Sequence, residues 1–111
     1  MTEQQQRAAS AELARRMGWR EGEFAAIWFP PDGNLKRVQA DPPGYFTDPA
    51  ASWELRLWLA ADDARWAKLK QQLTALWGSA AEQDLIRFAL TLPCKTIAEA
   101  ACKALGIEVS E

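Results

Sequence analysis

Arg15-Arg-Met-Gly-Trp-Arg20 gathers three guanidinium groups, those of Arg15, Arg16 and Arg20, around the indole of Trp19. A flat ring beside forked cations suits a phosphate contact or a stacking platform for single-stranded nucleic acid. The same residues also suit a helix C-terminus, with arginines opposing the negative end of the dipole and the indole tucked beneath the next element. The carboxylate pairs Glu21/Glu23, Asp62/Asp63 and Glu82/Asp84 form a second group. Paired acids can hold a divalent cation or exchange protons, but these fall where loop charges and first-turn helix acids belong. The chain has no histidine, which removes Ser-His and Cys-His nucleophiles and most zinc sites. Cys94 and Cys102 are eight residues apart, about 12 Å along a helix axis. A disulfide needs Cα atoms within about 7 Å. The thiols therefore read as packing groups in a reducing compartment. Pro31-Asp-Gly-Asn34 is turn chemistry and no phosphate cradle. The expectation is a non-enzymatic protein with no catalytic residue, no metal and no cofactor.

The aromatic residues carry more information. Six tryptophans stand in 111 residues, and indoles that a small core cannot bury become interface anchors. Trp28, Trp53, Trp58, Trp66 and Trp77 fall on apolar faces of the expected elements. Trp53 and Trp58, five residues apart, diverge by about 140° round a helix, so both cannot face one core. One of them, with Tyr45 and Phe46 on a proline-rich loop, is expected to form an exposed aromatic patch, rimmed by Arg20 or Arg56. The competing expectation folds Tyr45-Phe46 back as a lid on the sheet.

Composition narrows the class. The chain is 49% hydrophobic and 25% charged with a net charge of −2, ordinary for one globular domain. The slight acidic balance argues against nucleic acid as a partner. No apolar run approaches the roughly 20 residues that cross a bilayer, and the first residues lack the apolar stretch of a signal peptide. A cytoplasmic protein with no membrane contact is expected.

Several elements must position these groups. Thr2-Glu-Gln-Gln5 is a capping box opening a helix that runs to about Met17 and stops at Gly18. Phe24 to Phe29 is apolar on both faces, as a doubly covered strand is. Pro31-Asp-Gly33 supplies a tight turn, and Leu35 to Val38 is expected to return antiparallel as a β-hairpin at the centre of the fold. Asp48-Pro49 reads as the cap and first turn of a helix reaching about Ala61. Asp62-Asp63 can cap a further helix through Trp66, Leu69, Leu73 and Trp77, ended by Gly78. The sequence leaves open whether residues 49–77 form one bent helix or two. Leu85 to Leu92 alternates as a third strand. Thr96-Ile-Ala-Glu99 is a second capping box, for a last helix stopped by Gly106. The order α-β-β-α-α-β-α gives an α+β domain over residues 1–111, with a small, mainly antiparallel three-stranded sheet layered with helices. Residues 1–9 and 107–111 are expected at its frayed ends.

Met17-Gly-Trp19, the strand running into Pro31-Asp-Gly-Asn34, Gly44-Tyr-Phe-Thr-Asp-Pro-Ala-Ala51 and the closing Thr96-Ile-Ala-Glu-Ala-Ala-Cys-Lys-Ala-Leu-Gly106 together resemble a family of small tailed-bacteriophage and prophage proteins with an "ABA sandwich" domain. The resemblance spans roughly residues 10–107 and departs from the family pattern at Leu92-Pro-Cys-Lys95, before the last helix. It implies a sheet layered between helices, expression in an infected bacterial cell and no assigned activity. On that basis the leading expectation is a small phage or prophage protein that binds a protein: a host or defence factor, a phage partner or a second copy. The alternative is a nucleic-acid-associated accessory protein using Arg15, Arg16, Trp19 and Arg20.

Overall fold

The structure, a computed structural model, describes residues 2–23, 27–77 and 91–107. Among these the fold is α+β, with four α-helices and one two-stranded antiparallel sheet. The chain divides between Gly44 and Tyr45 into two compact units.

In the first unit, α1 spans Glu3–Arg16. Its capping box forms as the sequence requires: Thr2 Oγ1 accepts from the Gln5 amide at 3.1 Å, and Gln5 Oε1 accepts from the Thr2 amide at 2.8 Å. The helix ends in a Schellman motif. The Gly18 amide donates to Arg15 O at 3.1 Å and the Trp19 amide to Ala14 O at 2.9 Å. Gly18 takes φ +100° there, and this turn drops the Trp19 ring into a buried position. Ala9, Leu13 and Ala14 are the buried face of α1.

Pairing in this unit departs from the expected hairpin. β1 (Arg20–Glu21) pairs antiparallel with β2 (Trp28–Phe29), Arg20 opposite Phe29 and Glu21 opposite Trp28. The partner of β2 is thus the segment that precedes it. Residues 24–26 of the expected strand lie outside the described residues. Leu35–Arg37 forms a 3-10 helix instead of a returning strand. The cause is local: Asp32 Oδ1 accepts from the Asn34 amide at 3.0 Å and Asn34 Oδ1 from the Lys36 amide at 3.1 Å. Side-chain acceptors that satisfy backbone amides in a turn compete with a strand ladder. The chain meets β2 again only at Gln39, which exchanges two backbone hydrogen bonds with Trp28, at 2.7 and 3.2 Å. Trp28, held from both sides, is buried, while Phe29 is half-buried.

The second unit is helical. α2 (Pro49–Ala60) begins where expected, with Asp48 Oδ1 accepting from the Ala50 amide at 3.0 Å and Pro49 at the first position. α3 spans Asp63–Trp77. Residues 49–77 are therefore two helices, divided at Ala61-Asp62, where the Asp62 carboxylate takes the Arg65 amide at 3.0 Å. α4 (Cys94–Ala104) packs against both α2 and α3. It starts at Cys94, so the expected capping box at Thr96 is not its start. Pro93 occupies the cap position and its carbonyl receives the Ile97 amide at 3.1 Å. α4 closes in a second Schellman motif, Ile107 to Cys102 at 2.8 Å and Gly106 to Lys103 at 3.3 Å.

Leu55, Leu59, Leu69, Leu73 and Ile97 are fully buried between these helices, beside Ala98, Ala101 and Cys102. Each large aliphatic contributes about 1.5–3 kcal/mol by leaving water. The small residues on α4 let the helix axes approach. Residues 85–90 of the expected third strand lie outside the described residues. Its described end is not extended, since Thr91 is helical and Leu92 lies in a bend. A short apolar run bounded by turn formers does not by periodicity alone separate a strand from a buried helix.

Candidate protein-binding face

α2 places two apolar stripes on opposite sides of one helix. Ala51, Ser52, Leu55 and Leu59 face inward and are buried. On the other side every exposed residue of the helix is apolar: Pro49, Ala50, Trp53, Leu57 and Ala60. Trp53 is 48% exposed and Leu57 54%. As an i, i+4 pair they stand one above the other, so indole and isobutyl groups form one continuous surface. Large apolar side chains flanked by small ones, with no charge among them, fit the centre of an interface better than a solvated face.

The rest of the expected aromatic patch is elsewhere. Tyr45 is fully buried and Phe46 is 4% exposed, so the proline-rich loop presents neither ring to solvent. Their apolar area outweighs the turn-forming residues around them. Trp58 is half-buried beneath the Arg65 guanidinium, 4.0 Å from the ring centroid, and Arg65 Nε donates to the Trp58 carbonyl at 3.1 Å. That cation–π contact closes the ring off as an anchor. Arg56, half-buried, donates from Nη2 to Leu92 O at 2.5 Å. It ties α2 to the segment before α4 and stands at the edge of the exposed stripe. Arg20 is exposed in β1. Leu57, Ala50 and Ala60 were not singled out by the sequence. Their signal is a second i, i+4 row beside the row that supplies the core.

The arginine–tryptophan group of the first unit is assembled differently from a stacking platform. Trp19 is 4% exposed, with the Arg37 guanidinium 5.5 Å from its centroid. Arg15 pairs with Glu12 at 3.4 Å and Glu21 at 3.2 Å, and lies 5.4 Å over the buried Trp28 ring. Arg16 pairs with Glu12 at 3.3 Å. Carboxylates thus answer Arg15 and Arg16, and the buried Trp19 ring offers no face to a base.

Among the described residues no three cysteine or carboxylate side chains gather as a metal would require. An open groove on α3 is lined by Lys70, Gln71, Thr74 and Ala75, which bring one charge to it. Asp62 and Asp32 are held below the usual carboxylate range. In each the first cause is a backbone amide donated to the carboxylate, from Arg65 and Asn34 respectively. Burial, with the Glu99 charge adding to it, pushes the Cys102 thiol up to about 11. These groups are cap, turn and core, and none points at a common reacting centre. No helix among the described residues is long and apolar enough to cross a membrane. No protein-family model, curated protein or solved structure matches the chain.

Proposed function

We propose that this is a non-catalytic binding protein that engages a protein partner through the outer face of α2, with Trp53 and Leu57 as the anchors and Arg56 at the rim. The observation that carries the reading is the exposed pair itself, two large apolar side chains one turn apart on a helix whose every exposed residue is apolar. Tryptophan at the centre of a small apolar surface typically supplies 2 kcal/mol or more, about a thirtyfold change in affinity, when a partner covers it. On the resemblance to small phage and prophage proteins, such binding is expected in the cytoplasm of an infected bacterium, against a host or defence factor, a phage protein or a second copy. A photo-crosslinking amino acid installed at Ala50, beside the anchors, tests this in cells. It should yield a discrete protein adduct that Trp53→Ala removes, whereas the same group at the exposed Ala8 of α1 should not. Equal labelling from both positions would contradict the assignment.

A further inference from the structure

The outer stripe of α2 has the rhythm of a helix–helix seam. Ala50, Trp53, Leu57 and Ala60 follow one another at spacings of three, four and three, the alternation by which two helices interlock. At 100° per residue they fall within about 80° of arc. Glu54 and Arg56, both half-buried, stand about 80° from the middle of that arc, on opposite sides. Arg56 Nη2 also donates to Leu92 O at 2.5 Å. A helix apolar on its inner and its outer side is ordinarily a covered helix.

We infer that the occupant of this stripe is a second copy of the same chain, its α2 lying parallel to the first across a twofold axis. This rests on the reading of α2 as the binding face. The charges choose both occupant and direction. A parallel twofold turns the acidic flank of one helix toward the basic flank of the other. Glu54 then meets Arg56 of the second copy, twice, about 3 Å out of step along the axis. An antiparallel pairing would set Glu54 against Glu54 and Arg56 against Arg56, and like charges across an interface are costly. The seam is three turns long and smaller than a standard interface, so the dimer is weak and grows in with concentration.

Sedimentation equilibrium from about 10 μM to about 1 mM covers the range of a small interface. A monomer–dimer equilibrium is expected, weakened about thirtyfold by Trp53→Ala. Glu54→Arg should also weaken it, by setting like charges against each other across the seam. Direction is read by Ala60→Cys in a Cys94→Ser background. Mild oxidation should link the two copies through the introduced thiols, which an antiparallel pair would hold about 15 Å apart along the axis. A protein that stays monomeric throughout, a dimer indifferent to Trp53→Ala, or a dimer that Ala60→Cys does not link would each overturn the inference. A monomer that still forms the Ala50 adduct with another protein keeps the binding face and removes only the second copy as its occupant.

Discussion

Replacing Gly18 by alanine separates a steric demand from a backbone one, because Gly33 in the same unit is a matched control. Gly33 sits at φ +72° with nothing within 4 Å of an added Cβ. Alanine there costs about 1–2 kcal/mol of left-handed strain, less the roughly 0.4–1 kcal/mol gained by restricting the unfolded chain. The net is about 0.5–1 kcal/mol. Gly18 lies at φ +100°, further from the left-handed well, and its Cβ would stand 3.0 Å from Pro31 Cβ. Pro31 cannot move cheaply, since its ring fixes its own φ and the turn around it is closed by the Gly33 amide on Pro30 O at 3.1 Å. Strain plus displacement brings Gly18→Ala to about 2–3 kcal/mol. The two variants should differ by about 1–2 kcal/mol, roughly 1 M in the urea midpoint of so small a unit. Tryptophan fluorescence follows the transition, with Trp19 and Trp28 both buried in the unit concerned. A double-mutant cycle with Pro31→Gly should return a coupling of about 1 kcal/mol. Equal midpoints for Gly18→Ala and Gly33→Ala, or a cycle with no coupling, would refute the reasoning.

Three further outcomes follow from the second unit. Ser52 Oγ is buried with no hydrogen-bond partner among the described residues, so Ser52→Ala should stabilise the protein by about 1 kcal/mol, read as a raised denaturation midpoint. Cys102 is buried with its thiol pushed up to about 11, so a thiol reagent at about pH 8 should titrate Cys94 alone in the native protein and both cysteines after unfolding. Two fast native equivalents would contradict this. The Asp62 carboxylate is depressed below 3.8 by the Arg65 amide. Its contribution is therefore present above the unfolded value and lost as pH falls through the lower folded one. Asp62→Asn keeps a capping oxygen without the charge and should flatten the acid limb of stability below about pH 4. An acid limb identical to that of the wild type would contradict that account.

Local chemistry made the helix boundaries legible. Thr2 with Gln5, Asp48 with Pro49, and Asp62 each satisfy amides within four residues, and the stops at Gly18 and Gly106 are set within one turn. Pairing was not legible, because the partner of Trp28 is chosen by the whole unit. Asp32 and Asn34 were visible as turn formers, yet only their geometry shows that they bend Leu35–Arg37 into a 3-10 helix. At Cys94 the capping box two residues on offered a competing start that the Pro93 carbonyl pre-empted. For the site, the divergence of Trp53 and Trp58 required that one leave the core but did not say which. That depended on whether the row containing Leu55 and Leu59 or the row containing Trp53 and Leu57 faces α3 and α4. Tyr45 and Phe46 were misplaced for a related reason: the composition of a loop says nothing about what its rings find to lie against.

The most direct test of the account is a paired affinity capture from nuclease-treated bacterial lysate, using the tagged wild type and Trp53→Ala/Leu57→Ala at matched concentration. Both substitutions are on the exposed side of α2, so the variant should keep its helical content and unfolding midpoint. The account predicts a stoichiometric protein, another or an untagged copy of this chain supplied in the lysate, recovered by the wild type and lost from the folded variant. The same protein recovered equally by both, or material that disappears with nuclease alone, would contradict it.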